Sequence, residues 1–142
     1  MILDTTYLLP LAQIAVDTDL LDLIANRKTD IKLEQVAVSL VSLFELQAKA
    51  AKLNVPAKST AKAVDSILAA FRVEPFYRTE IIDASFELRR IIPDYVDCVI
   101  TATAIVLKED LATEDSLITS KREILRKKHG IDVLSFREIV AK

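Results

Sequence analysis

The sequence opens with MILDTTYLL at residues 1–9, a short apolar run that reaches an acid and passes into a stretch of helical pattern. We predict a strand over Met1 to Asp4 and a helical region from Thr6 through Ile24, broken near Val16 to Asp19. A strand that leads directly into a helix is the first half of a βα unit. The opening stretch therefore predicts an α/β fold.

The alternation of short strand patterns with longer helical patterns continues to the end of the chain. β-branched and apolar runs predict four more strands, at Gln35 to Ser39, Arg72 to Pro75, Leu111 to Thr113 and Asp132 to Ser135. Helical periodicity predicts helices at Ser42 to Leu53, Ser59 to Ala70, Thr79 to Ile92, Asp94 to Lys108, Ser116 or Ser120 to His129, and from Phe136 onward. Repeated βα units favour a mostly parallel sheet, here of about five strands, covered by helices.

Composition limits the class of protein. The chain has 142 residues, 51% of them hydrophobic, so we expect a single domain over residues 1–142. With one cysteine, Cys98, and one histidine, His129, an internal disulfide and a structural zinc site built from these residues alone are excluded. No apolar run has the roughly 18 residues of a membrane-spanning helix and no basic leader is visible, so we expect a soluble, cytoplasmic protein.

Four acidic residues fall where the predicted elements meet at one edge of the sheet. Asp4 and Asp115 lie at or just after the ends of the first and fourth strands. Glu45 is predicted in the first turn of the helix after the second strand, and Asp97 in the first turn of the buried helix before the fourth. Ligands of open α/β sheets bind at the carboxyl ends of the strands. We therefore expect these four acids to converge on one site.

Converging carboxylates repel one another unless cations neutralise them, and hard oxygen ligands suit Mg²⁺ or Mn²⁺. Such ions activate a water and stabilise the departing oxygen in phosphodiester hydrolysis, which needs no histidine base. The pattern thus predicts a metal-binding and catalytic set, Asp4, Glu45, Asp97 and Asp115. The hydroxyls of Thr6 and Thr113 are candidates to orient a carboxylate, and Asp94 is expected to cap a helix and join the site from outside.

Each acid also has a purely structural interpretation. Asp4 and Asp115 are suitable N-caps for the helices that follow them. Ser42-Leu43-Phe44-Glu45 fits a capping box, and Asp97 places a favourable negative charge in the first turn of a helix capped by Asp94. The joint placement of the four acids, more than any one of them, favours the catalytic interpretation. Glu114, between Thr113 and Asp115, is expected to face solvent.

Positive charge is concentrated in the last predicted long helix. The formal net charge of −2 argues against a protein that holds nucleic acid mainly by a basic surface. The basic set in this helix would ordinarily be a solvated helix face. In a protein with a nuclease site, Lys121, Arg122 and Arg126 become candidate contacts for the RNA backbone, with Lys127 and Lys128 beside them.

Four blocks of the sequence resemble the PIN-domain family. Residues 2–9, ILDTTYLL, resemble its opening strand, with an acid at Asp4 and a Ser, Thr or Asn two residues later. Phe44-Glu45-Leu46 is similar to the family's acidic helix position. Residues 97–104, DCVITATA, are similar to its Asp-led, alanine-rich helix, and residues 111–115, LATED, to its strand followed by Thr-x-Asp. The blocks keep the family's order over nearly the whole chain, and the length matches toxin ribonucleases of the VapC type.

The resemblance implies a three-layer α/β/α sandwich with strand order 3-2-1-4-5. It also implies Mg²⁺- or Mn²⁺-dependent endonucleolytic cleavage of RNA, with the first ion on Asp4, Glu45 and Asp97 and a second ion or the attacking water near Asp115. The implied role is the toxin of a type II toxin–antitoxin pair, often a homodimer, with a small antitoxin on the helical hairpin around Asn54 to Pro56 and its apolar residues Leu53 and Val55. The alternative is a catalytically degenerate PIN domain that binds RNA or a protein.

Overall fold

The protein forms five parallel strands flanked by helices, and the computed structural model describes residues 1–141 of it. The strands are β1 (Ile2–Leu3), β2 (Ala37–Ser39), β3 (Arg72–Glu74), β4 (Leu111–Ala112) and β5 (Val133–Leu134). Their order in the sheet is β3-β2-β1-β4-β5, and every neighbouring pair is parallel. This confirms the predicted mostly parallel sheet and the order 3-2-1-4-5.

Helices follow the strands in the order that the sequence predicts. The 3₁₀ helices are Thr5–Ala12 and Leu33–Gln35. The α-helices are α1 (Leu20–Ala25), α2 (Leu40–Lys52), α3 (Ala57–Ala70), α4 (Thr79–Leu88), α5 (Tyr95–Leu107), α6 (Ser116–Thr119), α7 (Arg122–His129) and α8 (Phe136–Val140). Among residues 1–141 no helix combines the length and the apolar character needed to cross a membrane.

The sheet separates two hydrophobic cores because successive strand residues point to opposite faces. Leu3, Ala112 and Leu134 pack into one core with the 3₁₀ helix Thr5–Ala12 and residues of α1, α2, α3 and α8. Their preceding neighbours in the strands, Ile2, Leu111 and Val133, pack into the other core with residues of α4, α5, α6 and α7. This arrangement confirms the expected three-layer α/β/α sandwich.

Helix boundaries near the acids differ from the predicted ones. Helix α2 begins at Leu40, capped by the hydroxyl of Ser39, which accepts from the Val41 N–H at 3.3 Å. Ser42 is therefore inside the helix, so the capping-box interpretation of Ser42 and Glu45 was wrong, and Glu45 lies in the second turn rather than the first. The single basic helix predicted up to His129 is instead two short helices, α6 and α7.

Caps elsewhere follow ordinary local chemistry. Asp94 caps α5 as predicted, its Oδ1 accepting from the Asp97 N–H at 3.1 Å, directly after Pro93. Gly130 ends α7 with a φ of 70°, the left-handed conformation that glycine adopts without steric cost. Pro10 lies inside the first helical segment, where its missing N–H is compatible with a 3₁₀ helix followed by a break before α1.

Candidate active site

The four predicted acids line one cleft at the carboxyl end of the sheet. The cleft has a volume of about 300 Å³ and is lined by Asp4, Thr5, Thr6, Leu9, Glu45, Lys49, Asp97, Glu114 and Asp115. The ends of the neighbouring strands β1 and β4 meet at this cleft. There the Asp4 N–H donates to the Ala112 carbonyl at 3.0 Å. Helix α2 brings Glu45 to the cleft, and the first turn of α5 brings Asp97. Residues up to 111 positions apart in sequence thus meet in one place.

Asp4 is the most buried of the four acids, with 8% of its surface exposed. Its Oδ1 accepts from the Thr5 N–H at 2.7 Å, which caps the 3₁₀ helix, and its Oδ2 accepts from the Thr113 hydroxyl at 2.6 Å. Burial raises the pKa of Asp4 most, and the charges of Asp115 and Asp94 raise it further, against the lowering effect of these two hydrogen bonds. Asp4 therefore serves as a helix cap and as a cleft residue together.

Glu45 is held by the hydroxyl of Thr5, which donates to its Oε1 at 2.5 Å and lies 3.0 Å from the Ser42 Oγ. Burial raises the pKa of Glu45, and the charges of Asp4 and Asp94 add to that effect. The Thr5 hydrogen bond and the charge of Lys49 act in the opposite direction. Thr5, fixed beside Asp4 in the chain, thereby connects the first and second acids of the cleft.

Asp97 is half-buried, and its pKa is raised from 3.8 to about 7. Burial is the largest cause, followed by the negative charges of Asp115, Asp4, Asp94 and Glu45. Within residues 1–141 its carboxylate accepts no hydrogen bond, unlike those of Asp4 and Glu45. A carboxylate that is crowded by like charges and lacks a donor is suited to a cation.

Asp115 caps α6, its Oδ1 accepting from the N–H groups of Leu117 at 2.8 Å and Ile118 at 3.0 Å. The predicted capping role is therefore present, and the residue still lines the cleft. Thr113 connects this acid to the first one. Its fully buried hydroxyl donates to Asp4 and accepts from the Asp115 N–H at 3.0 Å.

Of the other supporting residues, Thr6 lines the cleft, but the hydroxyl that holds an acid belongs to Thr5. Asp94 is exposed outside the cleft lining and caps α5. Sequence reasoning missed Thr5, Lys49 and the role of Glu114. For Lys49 a signal was available, because it follows Glu45 by four residues, the spacing that places two side chains on one helix face.

Glu114 is exposed overall, as expected, but its carboxylate does not simply face solvent. Its Oε2 accepts from the Tyr7 hydroxyl at 2.6 Å and from the Phe136 N–H at 2.8 Å, and the residue lines the cleft. Tyr7 is fully buried, and burial together with Glu114 raises its pKa. Glu114 therefore joins the first 3₁₀ helix, the end of β4 and the start of α8.

The donor set fits a hard divalent cation, since every acidic group of the cleft offers oxygen and nearby acids raise the pKa of Asp4, Glu45 and Asp97. Among the described residues no three acid, histidine or cysteine side chains already form a metal-ligand arrangement. Asp4, Glu45 and Asp115 instead use oxygens to accept hydrogen bonds from the protein. Each carboxylate has further lone pairs for an ion.

The predicted RNA contacts lie outside the cleft lining. The Arg122 guanidinium binds both carboxylate oxygens of Glu138, at 2.8 and 3.2 Å, and the Arg126 Nε donates to Asp132 at 2.7 Å. Lys121 is half-buried at the start of α7. Any contact of the two arginines with a phosphate has to compete with these ion pairs.

Helices α2 and α3 form the predicted hairpin, with Asn54 in the left-handed conformation at its turn. Leu53 is 52% exposed, and Val55 is half-buried in a groove of about 450 Å³ between the two helices. Small and apolar residues such as Ala51, Ala61 and Val64 line the groove together with the polar residues Gln47, Thr60 and Asp65. The hairpin therefore presents an open, mostly apolar channel.

The PIN domain family model matches residues 1–123. Comparison with curated proteins gave no significant match. Similar solved structures include a toxin–antitoxin complex from Klebsiella pneumoniae, with 22% identity, a TM-score of 0.60, and coverage of 81% of this chain and 86% of that one. VapBC2 from Rickettsia felis bound to a promoter DNA fragment has 20% identity and a TM-score of 0.59, and the match covers 94% of this chain and 96% of that one. FitAB bound to an IR36 DNA fragment has 18% identity and a TM-score of 0.64, and the match covers 95% of this chain and 94% of that one. At these identities the likeness shows the fold.

Proposed function

The chain belongs to the PIN-domain family, and from this premise we propose that it is a divalent-metal-dependent endoribonuclease that hydrolyses RNA phosphodiester bonds. PIN domains are generally nucleases that use divalent cations. The observation that supports the proposal is the meeting of Asp4, Glu45, Asp97 and Asp115 in one cleft. A cluster of this kind is costly to fold unless a proton or a bound cation offsets the repulsion among its carboxylates.

Asp4, Glu45 and Asp97 would hold a first Mg²⁺ or Mn²⁺, and Asp115 a second ion or the attacking water. When bound, such an ion lowers the pKa of a water and stabilises negative charge on the departing oxygen. The protein's own part is positioning. Thr113 fixes the Asp4 carboxylate and the Asp115 backbone, and Thr5 fixes Glu45. Asp97, without such a hydrogen bond among residues 1–141, is the acid that can adjust to a ligand.

We further propose that the protein is the toxin of a type II toxin–antitoxin pair. Support comes from the solved structures of similar fold, which include a toxin–antitoxin complex and two assemblies described with DNA. The groove between α2 and α3, with the exposed Leu53 at the C-terminal cap of α2 in the same hairpin, is the surface we assign to a small antitoxin, because apolar helix faces fit such grooves. A homodimer is expected from the family resemblance, and light scattering of the purified protein tests it.

The experiment for the nuclease proposal is cleavage of single-stranded and structured RNA by the purified protein with Mg²⁺, with Mn²⁺ and with EDTA. Asp4→Asn and Asp97→Asn test the cleft. Asp83→Asn, which removes an exposed acid of α4, is the matched control. We expect metal-dependent cutting that is lost in the first two variants and retained in the control. A folded wild type that cuts no RNA and shows no metal-induced thermal shift would instead indicate a degenerate binding module.

A further inference from the structure

The wall of the cleft formed by α2 carries a positive charge as well as an acid. Lys49 follows Glu45 by one helical turn, and both line the cleft. The other charged residues of the lining are acidic, namely Asp4, Asp97, Glu114 and Asp115. In the described part of the chain, Lys49 is thus the one cation on the surface of the cleft.

The ammonium of Lys49 is available to a ligand. Lys49 is exposed, and within residues 1–141 no carboxylate lies within 4.0 Å of its Nζ. The charge of Lys49 lowers the pKa of Glu45, but less than the other four causes change it. By contrast, Arg122, Arg126 and Lys128 of α7 all form ion pairs with acids of the same chain.

RNA approaching this cleft meets negative charge. The acids repel the phosphate backbone, and a bound divalent ion offsets only part of that repulsion. The net charge of −2 provides no general attraction. A cation that stands among the acids and has no carboxylate partner is therefore placed to bind a phosphate oxygen next to the reacting one.

We propose that Lys49 binds the RNA backbone directly, as a phosphate contact at the cleft. This inference rests on the proposed nuclease function. It assigns substrate binding to α2 and gives the ion-paired arginines of α7 a smaller part. A lysine provides a single compact charge without the two-pronged geometry of arginine, so the contact contributes affinity and orientation but no base recognition.

The competing explanation is that Lys49 only neutralises Glu45, its neighbour on the same helix face. The two roles have different consequences for RNA binding. Removal of the Lys49 charge strengthens Mn²⁺ binding in either case, because the metal ion then meets less positive charge. If Lys49 only offsets the acids, its removal leaves RNA affinity unchanged. If Lys49 contacts phosphate, RNA affinity falls and becomes less dependent on salt.

The test compares Lys49→Gln and Lys49→Arg with Lys62→Gln, which removes an exposed lysine of α3 outside the cleft lining. Binding of a fluorescein-labelled, mixed-sequence single-stranded RNA is followed by anisotropy in the Asp97→Asn background, so that cutting does not interfere. Cleavage kinetics and Mn²⁺-induced thermal shifts are measured in the otherwise wild-type protein.

We expect Lys49→Gln to weaken RNA binding and raise KM by about 10-fold, with a smaller effect on kcat. The slope of log affinity against log salt should become less negative by about 0.7, the value for one lost phosphate contact on a single strand. Lys49→Arg should restore most of the binding, and Lys62→Gln should behave as wild type. Unchanged RNA affinity and an unchanged salt slope in Lys49→Gln would overturn the inference while leaving the nuclease proposal standing. Absence of both cutting and RNA binding in the wild type would refute the nuclease proposal itself.

Discussion

Replacing Asp97 with asparagine removes a negative charge from a place where the folded protein disfavours it. The pKa of Asp97 is raised from 3.8 to about 7, by burial first and then by four neighbouring acids. In the metal-free protein the folded state therefore keeps a proton that the unfolded chain releases at lower pH. The contribution of this group to stability is fully present below pH 3.8 and is lost as the pH rises through about 7.

The size of the effect follows from that difference in pKa. The interval from 3.8 to about 7 corresponds to at most about 4 kcal/mol. Asp97 is only half-buried, so solvent screening reduces this value, and asparagine also loses the favourable interaction of an acid with the first turn of α5. We expect Asp97→Asn to be more stable than the wild type by about 1–2 kcal/mol near pH 8, a rise in Tm of about 3–6 °C.

Thermal unfolding of both proteins in EDTA across a pH series measures this prediction. The difference in Tm should be small near pH 4, should grow as the pH rises from 3.8 to about 7, and should level off at higher pH. Addition of Mn²⁺ should then stabilise the wild type and have little effect on the variant. A difference in Tm that is independent of pH, or a variant less stable than the wild type near pH 8, would refute the reasoning.

Two further changes test the supports of the cleft and the partner surface. Thr113→Val removes the hydroxyl that donates to Asp4 and accepts from the Asp115 N–H. We expect the free energy of unfolding to fall by about 1–3 kcal/mol, and RNA cutting or metal affinity to fall by about 10- to 100-fold. Thr113→Ser keeps the hydroxyl and should retain most of both, and equal losses in the two variants would count against the hydrogen-bonding role. Leu53→Asp should weaken binding of the proposed antitoxin by about 10-fold in calorimetry. Without the antitoxin, the Leu53→Asp variant should still cut RNA. As a control, Ile124→Asp, an exposed position on α7, should change neither antitoxin binding nor cutting. If Leu53→Asp binds the antitoxin as tightly as the wild type does, the hairpin is not the docking surface.

Periodicity and strand ends predicted much of the fold because they depend on local chemistry. The apolar run before Asp4, the nearly all-apolar α5 and the caps at Asp94 and Gly130 are all visible in short windows of sequence. The convergence of the acids followed from a general rule about the carboxyl ends of parallel strands. For Asp4 and Asp115, the capping and cleft interpretations were treated as alternatives, yet each residue has two carboxylate oxygens and fulfils both.

Other details depend on distant partners. Thr5 rather than Thr6 holds Glu45, through a hydrogen bond that spans 40 positions. The bonds of Glu114 to Tyr7 and Phe136 span 107 and 22 positions, and the ion pair of Arg122 with Glu138 spans 16. Neither periodicity nor motif spacing carries information about such pairs.

The two bonds of Glu114 also bear on how the protein is made. Synthesis proceeds from the N-terminus, so Asp4, Glu45 and Asp97 are already part of the nascent chain when Phe136 is added. Glu114 gains its second hydrogen-bond donor only when α8 joins the sheet, and the segment that carries Thr113 and Asp115 is fixed on both sides from that moment. Synthesis thus supplies Asp4, Glu45 and Asp97 before the residues that complete the frame around Thr113 and Asp115.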